Sequence, residues 1–280
     1  MGTQHNPDSE FYVGYFPKAP ASYRKTTIRV VVILFLLIPA IAFLLVNNQR
    51  GFLSSTYDYA NITELSGTLI TTPFPALQIA IDDGKGNDVF QTIPLVAFGK
   101  LGGQREVDRL LQDLDGPPRS VEVSVKGNLI FYDGKTLLEV KEWGEWSEGS
   151  NTKTDPVLVE SQVSLTGEIL DAKCFFGVMK PGHGKPHRSC AVRCISGGIP
   201  PVIAANDHSG GKHYYLLTGP ENQSINTDLL PWVAQAVTLK GDVYLYDDWE
   251  VLQLNPETID RMTGLPIDRI LYNSITMCSD

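Results

Sequence analysis

The longest hydrophobic run of the chain lies near the N-terminus. Residues 30–46, VVVILFLLIPAIAFLLV, carry no polar side chain. With their neighbours they make a stretch of about twenty residues, which is enough to cross a hydrocarbon core about 30 Å thick. A cleaved signal peptide would normally have a shorter leader and a small-residue cleavage site after the apolar stretch, and neither fits well here. The pattern therefore predicts an uncleaved transmembrane helix over residues 28–48.

The charges that flank this segment predict its orientation. Basic residues precede it, whereas only one follows it closely: Lys18, Arg24, Lys25 and Arg29 before, and Arg50 after. Positive residues are retained on the cytoplasmic side, so residues 1–27 are predicted to be a cytoplasmic tail. In a bacterium this orientation gives a single-pass protein of the cell inner membrane, with a cytoplasmic N-terminus and periplasmic C-terminal domains.

Beyond the membrane segment, apolar residues recur in two similar halves. Residues 65–70 (LSGTLI) resemble residues 165–170 (LTGEIL), and residues 123–133 resemble residues 237–247. In both halves the second match is followed by turn residues and another apolar strand. The two halves share a first strand and a terminal hairpin, which predicts two similar domains.

The repeat sets the predicted domain boundaries. The first domain is expected over residues 60–145 and the second over residues 160–262, joined by a polar linker over residues 145–156 that is rich in Gly, Ser, Asn and Thr. The second domain has an insertion over residues 171–198, directly after its first strand. Residues 263–280 are predicted to be a C-terminal tail.

The order of elements in the first half predicts the fold class. Strands are expected at residues 64–71, 76–82 and 88–98. Apolar residues at i, i+3, i+4 and i+7 between Val107 and Leu114 then predict an amphipathic helix, and Asp133-Gly134 predicts a hairpin turn. Three strands, a helix and two strands is the order of an OB-type barrel. We expect a mainly β protein with two tandem OB-like five-stranded barrel domains and short helices after one transmembrane helix, a small β-sandwich being the alternative.

Charge and composition narrow the range of partners. The net charge is −9, and the basic residues form no stripe that could follow a phosphate backbone. Nucleic acid is therefore not an expected partner. The acidity is suited to keeping an exported domain soluble. The expected partners are the membrane and a membrane or periplasmic protein complex.

The insertion carries the chemistry of the chain. Within it lie Cys174, His187, Cys190 and Cys194. Pro186 favours a helix start and the Gly pair after Ser196 a helix end, so residues 187–195 are predicted to be helical. His187, Cys190 and Cys194 then fall at i, i+3 and i+7, on one narrow stripe of that helix.

These four side chains form a plausible metal-ligand set. One imidazole and three thiolates suit a tetrahedral zinc ion, and sulfur ligands make copper(I) an equal candidate. Cys174 comes from the end of the preceding strand and completes the set. His183 lies in a Gly-rich loop and is an alternative to His187.

A disulfide is the competing interpretation of the same cysteines. Exported proteins commonly form disulfides, and Cys174 could pair with either Cys190 or Cys194. The two helical cysteines are poorly placed to pair with each other. The cysteine left over could then pair with Cys278 near the C-terminus.

The spacing of these residues resembles that of a poorly characterised group of bacterial exported OB-like domains. Their pattern is G-x-[IV]-x-D-x-x-C, then H-x-x-C-[AT]-x-x-C, then a Gly-rich turn into a strand. The matching residues are Gly167, Asp171, Cys174, His187, Cys190, Cys194, Gly197 and Gly198. The resemblance implies that these residues form one unit, and it implies no particular activity.

Two main hypotheses follow. The first is a membrane-anchored periplasmic accessory protein that binds a metal, or carries a redox-sensitive cysteine cluster, in an envelope or respiratory complex. The second is a non-catalytic scaffold subunit with structural disulfides. A third, an enzyme with a cysteine nucleophile and His187 as its base, requires an accessible thiol of low pKa. The chain has no HExxH motif and no supported Ser-His-Asp pattern, so a non-catalytic role is expected.

Overall fold

The computed structural model describes residues 21–49, 55–82, 84, 88–112, 120–149, 156–206 and 212–262. The predicted C-terminal tail lies outside the described residues, as do Cys278, most of the predicted cytoplasmic tail and residues 150–155 of the predicted linker. The chain divides into two units, Met1–Phe52 and Leu53–Asp280. Each unit is described by itself.

The first unit contains one long apolar helix. Helix α1 spans Ala21–Gln49, and an 18-residue window within its segment Tyr23–Asn47 has a mean hydropathy of 3.0. At 1.5 Å per residue the whole helix is about 44 Å long, which exceeds the thickness of a hydrocarbon core. Pro39 lies inside the helix, where membrane helices tolerate proline. By length and composition α1 could be a membrane span or a signal sequence. The orientation of the chain in a membrane stays a prediction.

The first barrel of the second unit has OB-type connectivity. Its elements are β1 (Ser55–Tyr57), β2 (Thr63–Ile70), β3 (Ala76–Asp82), β4 (Asp88–Val96), α2 (Gln104–Gln112), β5 (Val121–Tyr132) and β6 (Lys135–Glu148). The sheet order is β1-β5-β2-β3-β4-β6, and an additional pairing of β5 with β6 closes the barrel. Helix α2 packs on the barrel core through Val107 and Leu110, the apolar face predicted from its spacing.

The second barrel repeats this plan. Its elements are β7 (Val157–Asp171), α3 (Gly184–Ser196), β8 (Pro201–Asn206), β9 (Lys212–Thr218), α4 (Asn226–Leu229), β10 (Ala236–Tyr246), β11 (Trp249–Leu254) and β12 (Asp260–Arg261). The order is β11-β9-β8-β7-β10-β12, closed by β10 and β11. In both barrels the third and fifth strands of the repeat pair in parallel, β4 with β6 and β9 with β11.

The fold class predicted from the sequence is confirmed: two closed five-stranded barrels with short helices follow an apolar helix. The strand ends differ from the predicted domain bounds. Strand β6 continues beyond residue 145 through Glu148, and β7 begins before residue 160, at Val157. The short strands β1 and β12 were not predicted. Residues 226–235 contain a single turn of α-helix, α4, followed by a 3₁₀ turn over Leu230–Trp232. Pro231 has no backbone N–H with which to continue the α-helix.

An aromatic cluster fills the contact between the two barrels. It contains Tyr132 of the first barrel and Phe175, Phe176, Tyr214 and Trp249 of the second. Its ring centroids lie between 5.3 and 5.9 Å apart, several in edge-on arrangements that aromatic pairs favour. Because this core is shared, the two barrels form one compact unit.

The two terminal hairpins dock on each other's barrel. Asp133, at the turn after β5, accepts a hydrogen bond of 2.8 Å from the Tyr214 hydroxyl on β9. Asp247, its counterpart in the repeat, accepts hydrogen bonds of 2.7 Å from Gln78 Nε2 and 2.6 Å from Thr92 Oγ1. The contact therefore has approximate twofold character, as expected for a duplicated domain.

Tyr214→Phe is expected to weaken this contact. The change removes a buried hydroxyl that donates to a carboxylate, and hydrogen bonds to charged groups contribute about 2 kcal/mol. Denaturant unfolding followed by tryptophan fluorescence should show a loss of about this size. Tyr244→Phe, at a partly buried tyrosine on strand β10, is the control and should change stability by less than about 0.5 kcal/mol. Equal effects of the two changes would argue against the docking role of Tyr214.

Candidate metal centre

The insertion of the second barrel folds into a turn and a helix. Strand β7 ends at Asp171, and the chain then forms a single wide helical turn over Cys174–Val178. Helix α3 follows, with Pro186 in its first turn, where proline is tolerated. The helix is thus slightly longer than the predicted 187–195. His187 and Cys194 lie on its buried face, and Cys190 lies at its edge.

The predicted ligands meet at Cys174, in two overlapping sets rather than in one set of four. Cys174 Sγ lies 3.8 Å from Cys190 Sγ and 3.7 Å from Cys194 Sγ. Two overlapping sets of ligand atoms each fit within 4.8 Å: Cys174 with His187 and Cys190, and Cys174 with Asp171 and Cys194. Cys174 belongs to both sets. It is therefore the centre of the cluster.

The sulfur separations suit a metal better than a disulfide. A disulfide bond is about 2.05 Å long, and the three thiols are free at these distances. Tetrahedral coordination with zinc–sulfur bonds of about 2.3 Å would separate two sulfurs by about 3.8 Å. The measured 3.7 and 3.8 Å match that edge. Cys174 is thus spaced to share a metal with either of the other two cysteines.

Asp171 organises the cluster from behind. Its carboxylate is fully buried, and Oδ2 lies 2.9 Å from His187 Nε2. Oδ1 accepts a hydrogen bond of 2.7 Å from the Cys174 backbone N–H. With Nε2 engaged, Nδ1 is the ring nitrogen that could carry a metal. A carboxylate that holds the far nitrogen of a ligating histidine is a common feature of protein metal sites.

Asp171→Asn is expected to lower metal affinity by about 10- to 100-fold, the range for loss of such a supporting carboxylate. Competition with a chromophoric chelator would measure the change in dissociation constant. The control is Asp228→Asn, an exposed acid on α4. An unchanged affinity in Asp171→Asn would mean that His187 is not held for metal binding by this carboxylate.

A loop of the first barrel covers the cysteines. Lys100 Nζ lies 2.6 Å from Cys190 Sγ and 3.9 Å from Cys194 Sγ. The hydrogen bond to Cys190 raises the pKa of the lysine. The loop lies directly against the end of α3, since the Gly102 N–H donates to Gly197 O and a Cβ on Gly102 would lie 1.9 Å from Gly198 O. Glycine is required at this backbone contact.

A buried ion pair holds the same loop. Lys173, next to Cys174, places its Nζ 2.5 Å from Glu139 Oε2 of the first barrel, and both side chains are almost fully buried. The ammonium also donates to the backbone oxygens of Ala97 and Gly99. Burial acts to raise the pKa of Glu139, but hydrogen bonds from Lys141 and Lys173 outweigh it and lower that pKa. Lys173 thereby ties the Cys174 turn to the first barrel and, through Ala97 and Gly99, to the loop that carries Lys100.

The thiols of Cys174 and Cys194 titrate unequally. The hydrogen bond to Cys194, together with burial, raises the pKa of Cys174, whereas that same hydrogen bond lowers the pKa of Cys194. Lys100 adds to the stabilisation of the Cys194 thiolate. Of these two thiols, Cys194 therefore acquires negative charge first. Cys174 would release its proton when a cation replaces that proton.

Sequence analysis missed two residues of the site. Asp171 was part of the resemblance pattern, but no supporting role was assigned to it. Lys100 lies 90 residues before Cys190, in the other barrel, and no sequence signal linked them. His183 lies at the N-cap of α3 and outside both sets of candidate ligand atoms, so the structure favours His187.

Comparison with known proteins adds no family assignment. No protein-family model matches the chain, and no curated protein matches it. The resemblance to exported OB-like domains therefore stays a prediction.

Proposed function

We propose that this chain is a membrane-anchored accessory protein whose exported barrels bind one soft metal ion through Cys174, His187, Cys190 and Cys194. The ion is zinc or copper(I). The observation that carries the proposal is the position of Cys174 Sγ, 3.7 and 3.8 Å from the sulfurs of Cys194 and Cys190 and beside a buried histidine. The scaffold hypothesis with structural disulfides is less well supported, since those sulfurs are beyond bonding distance.

The charges around the site support a bound cation. Three thiolates, a neutral imidazole and a divalent ion would carry one net negative charge, and the Lys100 ammonium lies against it. The Asp171 carboxylate lies within hydrogen-bond distance of His187, and its charge raises the pKa of Cys174 and opposes the Cys194 thiolate, a cost that a bound cation would offset. Such a site, shielded by the first barrel, would also protect thiols from oxidation outside the cytoplasm.

The anchoring part of the proposal rests on α1 and its flanking charges. A helix of this hydropathy is suited to spanning a membrane, and the basic residues before it favour a cytoplasmic N-terminus. In a bacterium, the barrels would then act in the periplasm, within an envelope or respiratory complex. A C-terminal alkaline phosphatase fusion should be active, and an inactive fusion would reverse the proposed orientation.

Elemental analysis combined with thiol counting tests the metal proposal. The full-length chain, purified in detergent and exposed to zinc or to copper(I) under reducing conditions, should retain one ion per chain. Cys174, Cys190 and Cys194 should then resist alkylation until a chelator removes the ion. A metal-free protein with its cysteines in disulfides would instead support the scaffold function.

A further inference from the structure

The three cysteines of the cluster are unequally accessible. Cys194 is fully buried and Cys174 is 7% exposed, whereas Cys190 is only partly buried. A reagent arriving from solvent therefore meets Cys190 first. Redox-sensitive cysteines are typically accessible ones with a second thiol close by.

Lys100 gives Cys190 a second distinguishing feature. Its ammonium lies 2.6 Å from Cys190 Sγ, and the remainder of the lysine side chain is exposed. Lys100 therefore places a positive charge in contact with the most accessible of the three sulfurs. The reactive sulfur and its activating charge come from different barrels, so the pairing depends on the intact two-barrel unit.

Cys174 is placed to complete the reaction. Its sulfur lies 3.8 Å from that of Cys190 and would have to approach by about 1.8 Å to form a disulfide. It lies in a short irregular turn rather than in a regular element. Cys194 is a poor partner for Cys190, because both lie one helical turn apart on α3, where disulfide geometry is unfavourable.

We propose that Cys190 is a peroxide-reactive thiol and that Cys174 is its resolving partner. The Cys190 thiol releases its proton and the sulfur attacks hydrogen peroxide: an S–O bond forms, the O–O bond breaks, and the hydroxide that leaves takes up that proton to become water. The Cys174 thiol then attacks the sulfur of the resulting sulfenic acid, an S–S bond forms, and water leaves. The two cysteines together lose two electrons, and one peroxide becomes two waters.

The consequence for a bound metal rests on the proposed function. A Cys174–Cys190 disulfide would remove two of the three sulfur ligands, including the one shared by both candidate ligand sets. The metal would then be released. Oxidation and metal release can be measured separately, so each idea can fail without the other.

The test uses the full-length chain in detergent, reduced and metal-free, and treated with equimolar hydrogen peroxide. After acid quenching and alkylation, peptide mass spectrometry should find the Cys174–Cys190 disulfide first. In Cys174→Ser the Cys190 sulfenic acid should persist and react with dimedone. A first disulfide between Cys174 and Cys194, or a covalent Lys100–Cys190 link, would overturn the assignment.

Two lysine variants test the role of Lys100. Lys100→Met should slow Cys190 oxidation by about tenfold, because one charge in contact with the sulfur is lost, and Lys100→Arg should restore most of the rate. Lys185→Met, an exposed lysine in the first turn of α3, is the matched control and should react like the parent. Equal rates in Lys100→Met and the control would refute activation by Lys100.

A parallel experiment separates this inference from the proposed function. The zinc-loaded chain is treated with peroxide in the presence of a chromophoric zinc chelator. Zinc release in step with the Cys174–Cys190 disulfide supports both ideas. Disulfide formation in a chain that never retains metal supports the thiol assignment and refutes the metal function. Retained zinc with no disulfide after peroxide refutes the thiol assignment alone.

Discussion

Cys174→Ser is expected to abolish stoichiometric metal binding. Cys174 belongs to both sets of candidate ligand atoms, so its loss leaves neither set intact. A serine hydroxyl stays protonated near neutral pH and does not replace a thiolate. Because soft-metal sites draw their affinity from deprotonated sulfur, the affinity should fall by about a thousandfold or more. Isothermal titration or chelator competition would measure the loss.

The chain offers a matched control for that experiment. Cys278→Ser removes the cysteine that lies outside the cluster sequence, and it should leave both affinity and stoichiometry unchanged. The same chemical change is thus made at a candidate ligand and at a cysteine outside the proposed ligand set. Retention of one tightly bound ion in Cys174→Ser, or its loss in Cys278→Ser, would disprove the assigned ligand set.

Glu139→Gln is expected to destabilise the two-barrel unit by about 3 kcal/mol, the lower end of the range for breaking a buried ion pair. The change leaves the Lys173 ammonium almost fully buried without its carboxylate partner. Glu139 also accepts hydrogen bonds from Lys141 and Tyr57, and the change removes the negative charge of this acceptor. Denaturant unfolding of the full-length chain would measure this loss of stability. Glu142→Gln, at an exposed position of the same strand, should change stability by less than about 0.5 kcal/mol.

The effect of Glu139→Gln should depend on pH in a defined direction. The folded state lowers the pKa of Glu139, so the parent gains stability from this group above the usual glutamate pKa of about 4.3. That gain is lost as the pH falls through the folded-state pKa. The stability difference between parent and variant should therefore shrink in acid. A difference that grows below pH 4 would contradict this assignment.

The architecture explains why a duplicated barrel would be retained around one site. The cluster is an insertion in the second barrel, but its cover, Lys100, belongs to the first. The Lys173–Glu139 ion pair and the contact of Gly102 with α3 hold that cover in place. An isolated second barrel would expose Cys190 and lack a cation beside it. The unit that would bind and protect the proposed metal is thus the pair of barrels.

Local patterns were enough to predict much of this structure. Strand β3 was predicted with the bounds observed, since apolar residues between turn residues indicate a buried or half-buried strand. The stripe of His187, Cys190 and Cys194 was also predictable, because helical periodicity alone places i, i+3 and i+7 on one face. The repeat of residues 123–133 and 237–247 was enough to predict two similar barrels.

Other features left no local pattern. The predicted linker is shortened by the long strands β6 and β7, whose outer ends are stabilised by pairing with β5 and β10 rather than by their own composition. Asp247 was indistinguishable from a solvent-exposed turn residue, yet it accepts hydrogen bonds from Gln78 and Thr92 of the other barrel. Such contacts depend on how the two barrels dock.

The sequence by itself determined the apolar helix, the two barrels and the helical stripe of ligands, because each depends on the periodicity of neighbouring residues. Only the tertiary structure decided which groups surround that stripe. Asp171 lies behind His187 because β7 ends beside α3, and Lys100 reaches Cys190 because the barrels pack through a shared aromatic core. Contacts between residues far apart in the chain are set by packing, and packing leaves no periodic signal in a single sequence.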